Sequence, residues 1–420
     1  MNIYVKNERD GVLSILLFVH EESGFLDEGI DRILSAREWT NQQRRLITRL
    51  AKGTIEYQIG IDELIDQAAS LPARKMKPAV RDILRMSVYS LFFLDQIPER
   101  AVVNEAVELV KLRAPKGLAG FVNGVLRRIA REKEKGIQLP AVPVPQWIKE
   151  LWTADYGAEK TEQILADLQD DSDRALTARV NRTRTTRDEL ITRWRKEGIS
   201  CDPLSGAIGV TFTADRSIRE MPGYEEGLFY IQDSGSMTAG ELAPVKKDDQ
   251  VLDLCAAPGG KATQLAERAG YVLACDLHEN KIPVMRENAD RLGLSNIDFL
   301  TADATEFNPD WESRWDVVLA DVPCSGLGVI GHKPDIKLRL KKEDIGELVR
   351  LQRAILKNAV RYVKPGGYLV YSTCTVCRDE NDRQVEWLLE KHAQWHLVQM
   401  QQLFPGSNSD GFFMALLQKD

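Results

Sequence analysis

The sequence is poor in histidine and lacks any long apolar run. Its five histidines are scattered among 420 residues and form no metal-binding motif. The apolar stretch from Val12 to Val19 is interrupted by Ser14 and is far too short to cross a bilayer. The first ten residues contain no apolar core of the kind that a signal peptide needs. We therefore expect a cytoplasmic protein with no membrane anchor and no bound metal.

The chain also lacks an excess of positive charge. Its formal net charge is −7, which by itself argues against a polyanionic partner because nucleic-acid-binding proteins are usually basic. Two segments are nevertheless locally basic: residues 111–135 carry eight basic and two acidic side chains, and residues 174–198 carry eight basic and three acidic ones. Each segment is interpreted either as a solvated helix face or as a surface for a nucleic acid.

The pattern of apolar residues divides the chain into four regions. Residues 1–137 are predicted to be all helical, because apolar residues recur at helical spacing, most clearly from Ala79 to Leu94. Residues 138–146 are rich in proline and are interpreted as a linker. Residues 147–235 are predicted to form a helical pair and a small α/β region. In residues 236–420, strands alternate with helices, which predicts an α/β domain with a mostly parallel sheet.

Strands and helices can be assigned individually within the last region. The predicted strands are Val251–Leu254, Val272–Cys275, Ile297–Leu300, Asp316–Ala320 and Tyr368–Tyr371. The predicted helices between them include Glu279–Leu292 and Glu343–Val363. Ligands of parallel sheets bind at the carboxyl ends of the strands. Residues that directly follow these strands are therefore the candidates for a functional site.

A glycine-rich turn joins the first predicted strand to a helix over residues 263–269. The turn consists of Cys255, Ala256, Ala257, Pro258, Gly259, Gly260 and Lys261. Glycine allows a ligand to approach the backbone closely, and a helix N-terminus offers free N–H groups. The chain has neither the G-x-G-x-x-G pattern of dinucleotide-binding proteins nor the G-x-x-x-x-G-K-[ST] pattern of nucleotide triphosphatases. NAD is therefore a weak alternative, and a nucleoside triphosphate is disfavoured.

Aspartates follow the second, third and fourth predicted strands, at Asp276, Asp303 and Asp321. A carboxylate can accept hydrogen bonds from both hydroxyls of a ribose diol. Each aspartate alone could equally cap a helix or a turn. Because all three lie at matching strand ends, we interpret the set as the rim of a cofactor site.

Two cysteines follow the fourth and fifth predicted strands. Cys324 lies in Asp321-Val-Pro-Cys-Ser-Gly326, and Cys374 lies in Tyr371-Ser-Thr-Cys-Thr375. Neighbouring strand ends open onto one crevice, so we expect the two thiols to lie close together beside the cofactor. A thiolate that adds to carbon 6 of cytosine makes carbon 5 nucleophilic enough to attack the methyl group of S-adenosylmethionine. Lys261 is a candidate cation to lower the thiol pKa, and Asp321 is a candidate acid for the ring nitrogen N3.

The six cysteines also allow other interpretations. Cys374-Thr-Val-Cys377 is formally a C-x-x-C motif, but no second ligand pair exists to complete a zinc site. Cys255 and Cys275 are predicted to lie within strands as small core residues. Cys201 and Cys377 have no predicted role. In a long chain without an export signal, all six should be reduced.

The motifs resemble those of the RNA 5-methylcytosine methyltransferases, the NOL1/NOP2/Sun family. The resemblance rests on Gln232-Asp233 with Ser236, Cys255–Lys261, Asp321–Gly326 and Ser372-Thr-Cys374. A Pro-Cys motif alone would also fit DNA cytosine methyltransferases, whereas the added Thr-Cys is typical of the RNA class. The resemblance implies a Rossmann-like class I methyltransferase fold with a seven-stranded sheet. It also implies that Cys374 is the nucleophile, that Cys324 assists product release, and that Cys255–Lys261, Asp276, Asp303 and Asp321 line the cofactor and cytosine site.

The N-terminal region resembles the RNA-binding antitermination factor NusB. The similar segments are Leu94–Val107 and Phe121–Ile129. A NusB-like domain before such a methyltransferase is the architecture of the bacterial small-subunit ribosomal RNA methyltransferase B family. That resemblance implies methylation of a cytosine of unassembled 16S rRNA, at the position usually numbered 967, and an RNA-binding role for residues 174–198. We expect the protein to be a monomer.

One departure from the family pattern and two alternative functions remain. The chain departs from the family pattern between Val329 and Asp335, where Gly331 replaces one of several basic residues, and this puts one RNA contact in doubt. The chain could be an RNA-binding assembly factor with an idle methyltransferase domain, although intact Cys374, Cys324 and Lys261 argue against decay. It could also act on DNA, tRNA or another ribosomal cytosine.

Overall fold

The computed structural model describes residues 5–140, 144–169, 175–204, 208–214, 216–406 and 410–420. Three residues of the predicted linker, 141–143, and Arg174 of the basic segment lie outside these ranges. The chain divides into two compact units. The first comprises Met1–Lys149 and His332–Arg339, and the second comprises Glu150–Gly331 and Leu340–Asp420.

The N-terminal part of the first unit is helical throughout its described residues, as predicted. Its α-helices are α1 (Glu8–Glu21), α2 (Leu26–Ser35), α3 (Asn41–Glu56), α4 (Gln58–Ala68), α5 (Pro78–Phe93), α6 (Glu99–Arg113) and α7 (Ala119–Glu134). Helix α5 begins at Pro78, whose missing N–H costs nothing in the first turn. It is buried on nearly all sides and packs against α1, α3, α4, α6 and α7. An α-helix that is buried all round is the central helix of its domain.

A small antiparallel sheet follows in the second unit. The elements in this part of the chain are α8 (Gln146–Tyr156), α9 (Ala158–Gln169), β1 (Leu176–Val180), α10 (Arg187–Lys196), β2 (Cys201–Pro203), β3 (Gly209–Phe212), β4 (Phe229–Ile231) and α11 (Ser234–Leu242). The strand order is β2-β3-β1-β4. Helix α10 begins with a capping box between Thr186 and Glu189. Its Trp194 is fully buried and packs against Phe212 and Phe229, which fixes α10 on the sheet.

The larger sheet confirms the predicted seven-stranded, mostly parallel architecture. Its elements are β5 (Gln250–Asp253), α12 (Gly260–Ala266), β6 (Tyr271–Asp276), α13 (Ile282–Leu292), β7 (Ile297–Thr301), β8 (Trp315–Asp321), α14 (Ile336–Arg339), α15 (Lys342–Tyr362), β9 (Val363–Thr373), α16 (Asp382–Lys391), β10 (Trp395–Leu403) and β11 (Phe412–Lys419). The order is β10-β11-β9-β8-β5-β6-β7. Strands β9, β8, β5, β6 and β7 pair in parallel, whereas β11 pairs antiparallel with both β9 and β10 and is the one reversed strand of this sheet. The strand order reverses between β5 and β8, and ligands of such sheets bind at that point.

Some element boundaries differ from the predictions for physical reasons. The helix predicted from residue 263 begins at Gly260, because Gly259 adopts a φ of 103° that only glycine tolerates and so ends the turn early. Residues 279–281 form a single 3-10 turn, and α13 begins only at Ile282, next to Pro283. The prediction that Cys255 lies within a strand was wrong, since it lies in the turn after β5.

The segment His332–Arg339, which lies between β8 and α15 in the sequence, belongs to the first unit. Asp335 accepts a hydrogen bond from the backbone N–H of Leu26, at 3.3 Å. The ammonium group of Lys337 donates to the carbonyl oxygen of Glu56, at 2.6 Å. Burial lowers the pKa of Lys337 to about 8. The segment that follows Gly331 is therefore part of the helical unit rather than an independent basic surface.

Candidate active site

The two candidate catalytic cysteines lie side by side. Their Sγ atoms are 3.3 Å apart, and both residues are half-buried. Parallel pairing of β8 with β9 aligns Asp321 with Ser372, so the loops that follow both strands begin at the same level. The backbone N–H of Gly328 also donates to the carbonyl oxygen of Cys374, at 3.1 Å. The strand register and this loop contact together bring Cys324 and Cys374 into one crevice.

The surroundings of Cys324 favour its neutral thiol form. Its pKa is raised well above the usual value, chiefly by the hydrogen bond with Cys374, and also by burial and by the negative charges of Cys374 and Glu380. Thiolates are the nucleophilic form of cysteine, so a cysteine that is held neutral is a poor nucleophile. Cys324 therefore stays in its thiol form, which can donate a hydrogen bond.

Lys261 supplies a cation to the same crevice. Its ammonium group lies 2.8 Å from Oδ2 of Asp321, and the hydroxyl of Ser372 donates to Oδ1 of Asp321 at 2.6 Å. Burial alone would lower the pKa of Lys261, but the negative charge and hydrogen bond of Asp321 outweigh it and the pKa is raised. The charge of Cys374 also contributes to this shift. Lys261 therefore stays protonated within electrostatic range of the Cys374 sulfur.

The predicted acidic rim contains two strand-end carboxylates and one in a loop. Asp276, at the end of β6, accepts hydrogen bonds from the backbone N–H groups of Ala257 and His278, and Lys281 lies 3.4 Å away. Asp303 lies two residues beyond β7 and accepts from the backbone and hydroxyl of Thr305. These hydrogen bonds lower the pKa of Asp303. One oxygen of Asp303 thus caps the turn in its own loop. This is the capping role that the sequence allowed as an alternative to cofactor binding.

Asp253, at the end of β5, is a site residue that the sequence analysis missed. Its side chain is only 1% exposed. One oxygen accepts from the backbone N–H of Cys255, whereas Oδ2 has no hydrogen-bond partner among the described residues. Burial, together with the nearby charge of Asp321, raises the pKa of Asp253 to about 8. An acidic residue at the end of an otherwise apolar strand is the signal that could have identified it.

The glycine-rich turn is packed from behind by the small sheet. A Cβ atom at Gly260 would lie 3.2 Å from the ring of Tyr230. Arg179 of β1 is fully buried, pairs with Glu267, and donates to Gln232 and to Thr263 of α12. The turn and the first turn of α12 are therefore held by side chains from β1 and β4.

The basic segment 174–198 is partly structural. Arg179 is buried, and three further cations of the segment form ion pairs with carboxylates of the same unit: Arg182 with Glu241, Arg193 with Glu226 and Arg195 with Asp202. Arg179 accordingly cannot contact RNA. The RNA-binding role of the rest of the segment stays a prediction.

Within the described ranges, no group of three or more histidine, cysteine, aspartate or glutamate side chains is arranged to hold a metal ion. No helix there is both long and apolar enough to span a bilayer.

Family models match three successive parts of the chain. Residues 6–131 match the NusB family. Residues 144–218 match the ferredoxin-like domain of RsmF/B-like methyltransferases. Residues 239–418 match the model described as 16S rRNA methyltransferase RsmB/F. The three matches follow one another in the order of the helical domain, the small sheet and the large sheet.

Relatives cover nearly the whole chain. The probable ribosomal RNA small subunit methyltransferase B of Bacillus subtilis is 36% identical, over 92% of this chain and 89% of its own length. The protein of the same name from Synechocystis is 32% identical, over 96% of this chain and 98% of its own length. The crystal structure of PH0851 shares the fold, with a TM-score of 0.82, 23% identity and full coverage of both chains. The chain therefore belongs to the ribosomal RNA small subunit methyltransferase B family.

Proposed function

We propose that this protein transfers a methyl group from S-adenosylmethionine to carbon 5 of a cytosine in 16S rRNA. The reaction proceeds through a covalent intermediate in which the sulfur of Cys374 is bonded to carbon 6 of the base. The observation that carries this proposal is the pair of thiols 3.3 Å apart in unequal surroundings. The names of the curated relatives favour small-subunit ribosomal RNA as the substrate. The family resemblance favours the cytosine usually numbered 967.

The chemistry of the crevice fits S-adenosylmethionine. This cofactor carries a sulfonium and an ammonium cation as well as ribose hydroxyls, and carboxylates bind all of these groups. Asp253, Asp276 and Asp321 end three neighbouring strands, and Oδ2 of Asp253 has no partner among the described residues. The raised pKa of Asp253 leaves it largely protonated in the free chain near neutral pH, and a bound cation would favour its ionised form. The turn Cys255–Lys261 and Asp303 would complete the site. When bound, the cofactor supplies an electrophilic methyl group for carbon 5 of the base.

Cys374 and Lys261 perform the addition step. The thiolate of Cys374 forms a bond to carbon 6, and the electron pair of the carbon 5–carbon 6 double bond moves towards carbon 5. The ammonium group of Lys261 favours the thiolate over the thiol by its charge. Asp321 is held by Lys261 and Ser372 at the same strand end, where its carboxylate can accept hydrogen bonds from the 4-amino group of cytosine and from a protonated N3.

Cys324 assists the release step. After methylation, carbon 5 loses its proton to a base, the double bond re-forms, and the sulfur of Cys374 leaves with the bonding electron pair. A thiol hydrogen bond from Cys324 stabilises the negative charge that develops on that sulfur. The raised pKa of Cys324 keeps this proton in place at neutral pH.

The proposal is tested by incubating the protein with labelled S-adenosylmethionine and unassembled 16S rRNA. We expect label in 5-methylcytosine at a single position, which nuclease digestion and mass spectrometry will identify. Assembled small subunits and a tRNA pool serve as alternative substrates, and Cys374→Ala serves as the inactive control. Absence of transfer to every RNA, or label on a base other than cytosine, would refute the proposed reaction.

A further inference from the structure

The dipeptide Glu380–Asn381 lies directly behind the two cysteines. It ends the single 3-10 turn that precedes α16, and both of its side chains are completely buried. The hydroxyl of Tyr371 donates to the backbone oxygen of Glu380, which ties the dipeptide to β9. Burial of an acidic and an amide side chain is costly unless they are hydrogen-bonded. Their partners therefore indicate what the two side chains do.

Glu380 holds the residues on both sides of Cys324. Its Oε2 accepts from the backbone N–H of Ser325 at 2.8 Å, and its Oε1 accepts from the hydroxyl of Ser325. The side-chain amide of Gln352 donates both to Oε2 of Glu380, at 2.9 Å, and to the carbonyl oxygen of Pro323, at 3.0 Å. Ser325 is thus bound directly to the Glu380 carboxyl group and Pro323 is bound to it through Gln352, and Cys324 lies between these two residues.

Asn381 holds the residues on both sides of Cys374 in the same way. The hydroxyl of Thr373 donates to Oδ1 of Asn381 at 2.6 Å. The amide nitrogen of Asn381 donates to the carbonyl oxygen of Thr375 at 3.0 Å. The hydrogen bonds around Glu380 and those around Asn381 are connected, because the hydroxyls of Ser325 and Thr375 lie 2.6 Å apart.

We propose that Glu380 and Asn381 are positioning residues for the two-cysteine reaction, each fixing the loop of one thiol so that the sulfurs meet at 3.3 Å. Glu380 acts through Cys324, and Asn381 acts through Cys374. The proposal deepens the proposed function and rests on it, since a set distance between the thiols matters only if both take part. Neither residue touches the base or the cofactor in this assignment.

The charge of Glu380 adds a second effect on Cys324. It is one of the causes that raise the pKa of the Cys324 thiol, after the hydrogen bond with Cys374, burial and the charge of Cys374. Burial also raises the pKa of Glu380 itself, and the hydrogen bonds from Ser325 and Gln352 oppose this shift. A neutral amide at position 380 would remove the charge while preserving the shape of the side chain.

The first experiment measures the covalent protein–RNA adduct on denaturing gels. Cys324→Ala is expected to accumulate adduct because release is slowed. Glu380→Gln is expected to accumulate adduct at least tenfold above the native chain, with little further increase when combined with Cys324→Ala. Asn381→Asp, made in the Cys324→Ala protein, is expected to slow adduct formation about tenfold. Glu386→Gln, on the exposed side of α16, is the matched control and should behave like the native chain.

The second experiment needs no RNA and separates positioning from general damage. In a Cys374→Ala protein, the rate of Cys324 alkylation by iodoacetamide is followed against pH by peptide mass spectrometry. Adding Glu380→Gln should move the midpoint about one pH unit lower, because one nearby negative charge is lost. Adding Glu386→Gln should leave it unchanged. The KM for RNA should also stay the same in Glu380→Gln while kcat falls.

The outcomes distinguish this inference from the proposed function. If Cys324→Ala gives no adduct, the covalent mechanism fails, and the alkylation midpoint alone decides whether Glu380 acts on Cys324. If Cys324→Ala gives adduct but Glu380→Gln and Asn381→Asp turn over like Glu386→Gln, the positioning role is wrong and the mechanism stands. Equal losses in every step, with a lowered thermal midpoint, would also overturn the inference in favour of a purely structural role.

Discussion

The Sγ atoms of Cys324 and Cys374 lie 3.3 Å apart, although the residues are 50 positions apart in the sequence. Their surroundings differ. Cys324 is held neutral by its hydrogen bond with Cys374, by burial and by nearby negative charge. Cys374 instead shares the crevice with the Lys261 ammonium group, whose pKa its charge helps to raise. Two thiols in unequal surroundings should respond unequally to substitution.

Replacing the two cysteines separately should therefore give two different defects. Cys374→Ala is expected to abolish methyl transfer and adduct formation, because no other thiolate reaches carbon 6. Cys324→Ala is expected to form the adduct but to turn over slowly. Denaturing gels with labelled RNA, beside a turnover assay, measure both quantities. Adduct in Cys374→Ala, or normal turnover in Cys324→Ala, would show that the roles are misassigned.

Lys261 should act through its charge. Lys261→Met removes the cation that favours the Cys374 thiolate, so the pH at which the rate is half-maximal is expected to rise by about one unit. Lys261→Arg keeps the charge beside Asp321 and should retain the native midpoint with a lower rate. The measurement is a single-turnover pH–rate profile for each protein. Identical midpoints in Lys261→Met and the native chain would exclude an electrostatic role.

Arg179 should contribute to stability rather than to RNA binding. Arg179→Met leaves the buried carboxylate of Glu267 without its main partner, which typically costs about 3–5 kcal/mol. Adding Glu267→Gln should recover part of the loss. The exposed pair Arg195–Asp202 is the control, since Arg195→Met should cost less than about 1 kcal/mol. Urea unfolding measures the free energy of unfolding of each variant. Equal losses for Arg179→Met and Arg195→Met would contradict a structural role of Arg179.

The sequence predicts the large sheet better than its edge. Strands β5, β6 and β8 are short apolar runs, which is the pattern of parallel strands buried on both faces. Strand β10 was not predicted. Only Trp395 at its start is buried, and the next six residues are exposed because β10 lies at the sheet edge. An edge strand that buries so little leaves no clear apolar pattern to detect.

The residues of the candidate site were likewise predictable only where a local sequence pattern marks them. Cys324, Cys374 and Lys261 could be identified because they directly follow predicted strands within short motifs. Glu380 and Asn381 could not, since the surrounding sequence Arg-Asp-Glu-Asn-Asp-Arg is typical of an exposed turn. Their burial depends on partners such as Ser325, which is 55 positions from Glu380 in the sequence. Hydrogen bonds over such separations have no signature in a single sequence.

Asp253 should make stability depend on pH. Its pKa is raised to about 8 in the folded chain, by burial and then by the charge of Asp321, against about 3.9 when unfolded. Between these values the folded state keeps a proton that the unfolded state has released. The free energy of unfolding therefore falls as the pH rises through this window, by up to about 1.4 kcal/mol per pH unit from this group.

Asp253→Asn removes this dependence because an amide does not titrate. Relative to the native chain, the variant should gain stability steadily from pH 5 to pH 8, and urea unfolding at each unit of pH measures the difference. Asp310→Asn, at an exposed carboxylate, should give a constant difference over the same range. A constant difference for Asp253→Asn as well would mean that Asp253 is ionised in the folded chain throughout. The ionised form would then be stabilised by the ammonium group of Lys261, whose charge is the largest of the influences that lower the pKa of Asp253.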